Sequence, residues 1–219
     1  MRALTPLEAR VLGVLVEKQH TVPDTYPLSL NALTAGCNQK TARSPVIEAT
    51  EAEVLTAVDG LKSLSLVFEG SGSRVVKFEH NMPRVMGLPG AAAALLTVLM
   101  LRGPQTAAEL RLNCERLHRF ADISSVEGFL EELATKEPPR VVKLARAPGA
   151  REARWAHLLC GEVQGAVYQA GSPGESDGSV SAGELSALKA EQTRLAAEVE
   201  ALKALVQRMA RELGMEDAA

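Results

Sequence analysis

Hydrophobic residues recur at two different spacings between residues 50 and 79, which predicts a helix followed by a two-stranded ribbon. Apolar side chains first return every three or four residues and define one helix face: Val54, Leu55, Val58, Leu61 and Leu64. Thr50 is a good N-cap for this helix. After Leu66 the period changes to two, and Val76 and Phe78 are expected on one side of the returning strand. A helix followed by a ribbon is the second part of a winged helix-turn-helix domain.

Two capped helices are predicted ahead of this segment. Thr5 and Glu8 have the spacing of a capping box, with Pro6 at the first helical position. Ser29 caps a short second helix, which ends near Gly36. The polar segment after it, residues 37–45, carries two basic side chains and no acidic one.

The same order of elements returns after a boundary predicted at residues 81–89. Residues 91–101 are almost entirely apolar, which predicts a buried helix. Thr106 opens the next helix with a second capping box, formed with Glu109. Ser124 or Ser125 is the predicted cap of the third helix.

Residues 140–146 and 151–158 are predicted to form the second ribbon, with Phe78 and Trp155 as core anchors under the two ribbons. The predicted fold is α+β and mainly helical, with two tandem winged-helix domains and a C-terminal coiled-coil helix. The predicted boundaries are 1–83 for the first domain, 84–160 for the second, 161–183 for a flexible linker and 184–214 for the coiled coil.

The C-terminal segment has the strict alternation of three and four residues that is typical of a coiled coil. Its apolar stripe comprises Leu185, Leu188, Gln192, Leu195, Val199, Leu202, Val206, Met209 and Leu213. Branched residues at one core position and leucine at the other favour a parallel homodimer, whose register Gln192 would fix. A single amphipathic helix that packs on its own domains is the alternative.

Composition and charge restrict the possible functions. In 219 residues, 46% are hydrophobic and 23% charged, which is sufficient for a globular core. Aromatic residues make up only 3%, which argues against binding of single-stranded nucleic acid by base stacking. The net charge is −3, so any contact with nucleic acid must come from local basic patches.

Three widely spaced cysteines indicate a reducing compartment. Since no signal peptide or membrane-spanning run is found, a cytoplasmic location without membrane contact is predicted.

Several motifs are similar to the YceH-like family of bacterial proteins. They are Leu4 to Val11 (LTPLEARV), Glu17 to Gln19, Tyr26 to Asn31, Cys37 to Thr41 (CNQKT) with Arg43 and Pro45, and residues 101–103, 109–111, 144–149 and 151–152. The resemblance covers about residues 3 to 163. It implies a tandem winged-helix fold and carries over no catalytic or ligand-binding residue.

In a winged helix the third helix usually enters the major groove of DNA. Here both predicted third helices are acidic. Residues 50–66 carry three acids against Lys62, and residues 124–137 carry four acids against Lys136. Phosphates repel such helices, so ordinary base readout is not expected from them.

The basic residues that remain define a hypothetical surface for double-stranded DNA. They are Lys40, Arg43, Arg74, Lys77, Arg140, Lys143, Arg146, Arg151 and Arg154. The competing interpretation of the ribbon arginines is an ordinary solvated face. A non-enzymatic DNA-binding protein, similar to a transcription regulator, is therefore one prediction. A protein-interaction module that contacts no DNA is the alternative, and acidic third helices fit it better.

No catalytic site, metal site or cofactor is predicted. Cys114 and His118 are four residues apart on a predicted helix and could share a metal, but no third ligand accompanies them. A buried thiol beside a surface histidine is the favoured interpretation. Because no nucleophile, base and stabiliser converge in the sequence, an enzymatic role is not expected.

Overall fold

The computed structural model describes residues 1–70, 75–146, 150 and 152–163, and all of them belong to one compact unit. Within this part of the chain the fold is α+β and mainly helical, as predicted. The predicted coiled coil and most of the predicted linker lie outside the described residues.

The first half contains three helices and a small antiparallel sheet. Helix α1 spans Pro6–Thr21, α2 spans Leu30–Cys37 and α3 spans Glu51–Ser63, while a single 3-10 turn covers Pro23–Thr25. The three strands are β1 (Leu28–Ser29), β2 (Val67–Gly70) and β3 (Lys77–His80), and β3 lies in the middle of the sheet. Each helix begins where the sequence predicts, because the side chains of Thr5, Ser29 and Thr50 accept hydrogen bonds from the first turn.

The second half repeats this order after a short additional helix. Helix α4 spans Met82–Met86, α5 spans Gly90–Arg102, α6 spans Ala107–Asn113 and α7 spans Ile123–Thr135. Strands β4 (Val141–Lys143) and β5 (Trp155–His157) pair in antiparallel fashion.

In each half, the segment just before the second helix pairs with the returning strand of the hairpin. In the first half Leu28 pairs with Phe78 immediately before α2 begins. In the second half Gln105 pairs with Trp155 immediately before α6 begins. The two hairpins are therefore tied to their helices in the same way.

The two halves share one continuous hydrophobic core. Helix α1 packs against α5, and the approach is so close that a Cβ atom on Gly13 would lie 3.0 Å from Leu101 Cδ2. Two backbone hydrogen bonds also join the halves, from Ser44 N to Leu101 O and from Leu4 N to Leu159 O, each 2.8 Å long. The predicted boundary near residue 83 therefore marks a repeat of elements within one packed body.

Two details of the first half differ from the sequence prediction. Val76 is 54% exposed and precedes β3, so only Phe78 of the predicted pair is buried. Leu55 is also on the surface, at 39% exposure, since the buried stripe of α3 runs through Val54, Ala57 and Leu61. Short amphipathic segments tolerate such isolated exposed hydrophobic residues.

Two details of the second half also differ. The predicted boundary at residues 81–89 contains α4, which buries Met82 and Met86 and ends at Gly87 in the left-handed conformation. Helix α7 begins two or three residues earlier than predicted, because Asp122 is its cap and accepts a hydrogen bond of 2.7 Å from Ser125 N. No helix in the described part of the chain is both long enough and apolar enough to cross a membrane.

Candidate nucleic-acid interface

Lys40 and Arg43 lie on the same segment between α2 and α3 but in opposite environments. Lys40 is exposed and forms no ion pair with any described residue. Arg43 is only 7% exposed. Its guanidinium Nη2 lies 2.6 Å from Glu17 Oε2 and 2.8 Å from Gln39 Oε1. Arg43 therefore joins the segment to α1, and of these two residues only Lys40 is accessible to a phosphate.

The Arg43–Glu17 pair is held as an ion pair inside the protein. Burial alone would raise the pKa of the Glu17 carboxyl. The hydrogen bond and charge of Arg43, with a contribution from Lys18, outweigh that effect and place the pKa below its ordinary value. Glu17 is consequently ionised at neutral pH.

The Asn38-Gln39-Lys40 motif is mainly a structural clamp. The Asn38 side chain donates to Ala49 O and accepts from Ala49 N, each at 2.8 Å, which closes residues 38–49 into a loop. Arg10 of α1 supports the same loop by donating to Cys37 O at 3.1 Å and Pro45 O at 2.7 Å. No local pattern indicates these hydrogen bonds, since the partners are 11 to 35 residues apart in the chain.

The second hairpin presents its basic residues in three different ways. Lys143 is exposed, and its Nζ lies 5.3 Å from the centre of the Trp155 ring. Arg146 is exposed and has no ion pair with a described residue. Arg154 instead contacts Glu109 at 3.1 Å and donates to Pro104 O at 2.8 Å. Arg140 is half-buried, and Arg151 lies outside the described residues.

A groove of about 710 Å³ runs beside this hairpin and contains both signs of charge. Lys143 and Arg146 line it together with Glu127 of α7 and Glu152. The hairpin surface is therefore less basic than the count of arginines in the sequence indicates. A phosphate contact is favoured at the exposed Lys143 and Arg146 side chains and opposed towards α7.

The first hairpin contributes little accessible positive charge among the described residues. Lys77 is half-buried on β3, and Arg74 lies outside the described residues. Lys62 at the end of α3 contacts Glu69 of β2 at 2.5 Å, so its charge is compensated.

The acidic residues of α3 and α7 point to solvent. Their exposed members are Glu51, Glu53, Asp59, Glu127, Glu131 and Glu132. Glu53 also completes the capping box with Thr50, whose hydrogen bonds lower the pKa of the Glu53 carboxyl. Both helices thus present negative charge where a DNA-reading helix presents donors and cations.

Cys114 and His118, the pair considered for metal binding, lie in different surroundings. Cys114 is fully buried, and burial raises the pKa of its thiol to about 12. His118 stacks edge-on against Phe120, with ring centres 4.7 Å apart. In the described ranges, no three side chains of His, Cys, Asp or Glu come together as metal ligands. Tyr26 is half-buried and accepts a hydrogen bond of 2.7 Å from His80 N, so it packs at the connector.

Comparison with known proteins gives one family. The family model described as "Protein of unknown function, DUF480" matches residues 4–150. A UPF0502 protein of Paraburkholderia phytofirmans is 72% identical over 216 residues, which cover 99% of this chain and 92% of that protein. A UPF0502 protein of Burkholderia multivorans is 71% identical, and one of Burkholderia pseudomallei is 70% identical, each over 99% of this chain and 92% of the relative.

Proposed function

The chain belongs to the DUF480 family, and we propose that it is a non-enzymatic tandem winged-helix protein that contacts the DNA backbone as a dimer. The repeated order of three helices and a hairpin supports the winged-helix assignment. The heptad pattern of residues 185–213, which lie outside the described part of the chain, supports the dimer.

One observation carries the proposal for DNA. Lys143 and Arg146 lie three residues apart on one hairpin, both exposed and neither in an ion pair with a described residue. Wings of this kind touch the phosphate backbone, and each neutralised phosphate releases counterions. A dimer presents two such hairpins and thereby doubles the number of contacts.

Contact with the backbone is favoured over base readout by the charge of the helices. The exposed acids of α3 and α7 would be driven away from the major groove by phosphates. Lys40 adds a third exposed cation, while Arg43 and Arg154 are engaged within the protein. The expected binding is therefore weak in sequence preference and strongly dependent on salt.

Fluorescence anisotropy on a labelled duplex tests this proposal. At about 50 mM salt we expect saturable binding that weakens steeply towards about 200 mM. The K143E/R146E variant should lose at least one decade of affinity and lower the slope of log K against log salt by about 4, because two phosphate contacts are lost on each of the two hairpins of the dimer. Arg84→Glu is the control, because Arg84 is exposed on α4, away from the hairpin.

Absence of binding at the lower salt concentration contradicts the proposal. An equal loss of affinity in K143E/R146E and Arg84→Glu also contradicts it. That result would show a response to net charge alone, which requires no defined binding surface.

A second candidate function is a protein-interaction module, and the exposed acids of α7 favour it specifically. Glu127, Glu131 and Glu132 are all exposed on this helix, and of the three only Glu132 has an ion pair with a described residue, with Lys136 at 3.9 Å. A basic protein segment would be a complementary partner. Affinity purification with nuclease treatment should recover such a partner in stoichiometric amount, and Glu131→Lys should abolish its recovery while K143E/R146E leaves it unchanged.

A further inference from the structure

A cavity of about 530 Å³ lies between the two halves of the compact unit. Helix α1, the loop at residues 44–49, helix α5 and the chain around β5 contribute its walls. The walls are mostly apolar and include Leu7, Ala9, Ile47, Leu99, Met100 and Ala156. This size and composition are typical of sites for small organic ligands.

Two polar side chains from opposite halves line this cavity with unused hydrogen-bonding capacity. Arg10 is only 4% exposed, and its Nε is unpartnered but closed to solvent, so a ligand can reach only the Nη atoms. Only two bonds, to Cys37 O and Pro45 O, engage its five N–H donors. The Nδ1 atom of His157 is unpartnered but closed to solvent, so a ligand in the cavity can contact this ring only at Nε2, which forms no hydrogen bond with a described residue.

Arg10 is also a buried cation without a counter-ion. No carboxylate of a described residue forms an ion pair with it, and the nearby cation Arg43 is already neutralised by Glu17. Burial, followed by repulsion from Arg43, lowers the pKa of the Arg10 guanidinium. A buried unpaired charge is costly, so an anion that reaches Arg10 would relieve that cost.

The rim of the cavity restricts how much negative charge a ligand can carry. Glu48, Glu53 and Glu162 line the outer part and are exposed to solvent. These carboxylates repel a phosphate or any other multiply charged group on its way in. A single carboxylate that reaches Arg10 and His157 therefore fits better than a nucleotide or a phosphate ester.

We propose that this cavity binds a small amphipathic monocarboxylate, with its carboxylate at Arg10 and His157 and its apolar body against α5 and Ile47. The guanidinium and a neutral imidazole N–H are both donors, which a carboxylate can accept together. Burial lowers the pKa of His157 to about 4, so this imidazole is neutral at physiological pH. The site is independent of whether the protein binds DNA.

Two isosteric probes test the charge requirement directly. Naphthalene-2-carboxylate and naphthalene-2-carboxamide share one apolar body and differ in charge at the anchoring group. In calorimetric titration of the full chain at neutral pH, we expect one site per chain for the acid. Because a hydrogen bond to a charged group is the stronger kind, the acid should bind about tenfold to a hundredfold more tightly than the amide. Naphthyl phosphate should bind more weakly than the carboxylate because of the rim acids.

Cys160 provides a local readout that does not depend on heat of binding. It lines the cavity and is half-buried, whereas Cys37 and Cys114 are fully buried. Bound carboxylate should slow alkylation of Cys160 by iodoacetamide at alkaline pH, as followed by mass spectrometry of the intact protein and its peptides.

Three variants localise the site. Arg10→Met should abolish the preference for the acid over the amide while weak binding of both remains. Ile47→Trp should fill the cavity and remove binding of both probes without changing Arg10. Arg84→Glu is the control, because Arg84 is exposed on α4 and does not line this cavity, and it should bind like the unchanged protein.

Equal affinity for acid and amide in the unchanged protein overturns the proposal, as does unchanged alkylation of Cys160 at a saturating concentration of the acid. Both measurements use the native chain, so they decide the question even if Arg10→Met fails to fold. Unaltered binding to Ile47→Trp would place the probe elsewhere and would also overturn it.

Discussion

Arg43 and Glu17 form a bidentate contact between the loop that follows α2 and helix α1, with nitrogen–oxygen distances of 3.0 and 2.6 Å. The Arg43 side chain is 1% exposed and that of Glu17 is 16% exposed. The pair thus lies inside the protein, and without Arg43 the Glu17 carboxylate would retain only its contact with Lys18 at 3.5 Å.

Replacement of Arg43 by Met should reduce the free energy of unfolding by about 3 kcal/mol, the lower end for a broken buried pair, because Glu17 then keeps only its contact with Lys18 at 3.5 Å. The E17Q/R43M double variant should recover part of that loss. Urea denaturation of the three proteins measures the effect. A loss below about 1 kcal/mol for Arg43→Met would mean that the pair behaves like a surface contact.

The same pair predicts a pH dependence. The pKa of Glu17 is lowered in the folded protein, so the unfolded chain binds the proton more readily. The stabilisation is complete above the unfolded carboxyl pKa of about 4.3 and is lost as the pH falls through the folded value. Glu17→Gln should therefore flatten the acid limb of the stability curve, which denaturation at stepwise lower pH would show.

Two histidines should titrate far below the ordinary range. Burial lowers the pKa of His157 to about 4, and burial, with a smaller effect from His20, lowers the pKa of His80 to about 4. Because the folded pKa lies below the unfolded value of about 6.5, both residues favour folding above that pH and oppose it increasingly on the way down to 4. Nuclear magnetic resonance titration of the imidazole protons checks this, and a midpoint above about 6 for either one contradicts it.

Two glycine substitutions of the same kind should have opposite effects. Gly36 and Gly128 both lie within helices, where alanine ordinarily stabilises by about 0.5 to 1 kcal/mol. A Cβ on Gly36 would approach Val14 Cγ1 to 2.6 Å, so Gly36→Ala should instead destabilise by about 1 to 3 kcal/mol. A Cβ on Gly128 meets no atom within 4 Å, so Gly128→Ala should be stabilising. Thermal unfolding of both variants measures the contrast.

Helix α7 offers a test of its cap. Asp122 accepts hydrogen bonds of 2.7 Å from both the backbone N and the side-chain hydroxyl of Ser125. Asp122→Ala should lower the midpoint of unfolding, whereas Ser124→Ala should be nearly neutral, because Ser124 makes no cap contact. Urea denaturation of both variants measures the difference. A larger loss of stability for Ser124→Ala than for Asp122→Ala would support the serine cap that the sequence predicts.

The coiled-coil prediction can be tested apart from DNA binding. Sedimentation equilibrium at micromolar concentration should show a dimer, and L188D/L195D should show a monomer, because aspartate cannot remain in the apolar seam. A monomer in the unchanged protein would leave the single amphipathic helix as the better interpretation.

Local features of this fold could be predicted from the sequence, because the partners involved are neighbours in the chain. The capping boxes at Thr5, Thr50 and Thr106 span only three residues each, and all three are present. The buried helix α5 was equally evident from its composition. These signals were sufficient for the α+β fold class and for the order of the helices other than α4.

Which basic residues of the candidate site are accessible depends on contacts between residues that are far apart in the chain, and no local sequence pattern indicates them. Arg43 and Lys40 look alike in sequence, but Glu17, 26 residues before Arg43, accounts for the burial of only one of them. Arg154 is engaged by Glu109, 45 residues away. Arg10 gave no signal either, since an arginine on an amphipathic helix is normally a surface residue. Charge counts from sequence therefore overstated the accessible positive surface.

The hydrogen bond between Leu4 N and Leu159 O fastens the opening residues of the chain to the segment after β5. Together with the α1–α5 packing, it closes the described part of the molecule into a ring of contacts. A hinge motion of the two halves about α4 is therefore opposed by the α1–α5 packing and by the hydrogen bond between Leu4 and Leu159. Separation of the halves would have to break both of these contacts. The two hairpins should therefore keep a fixed distance and orientation relative to each other.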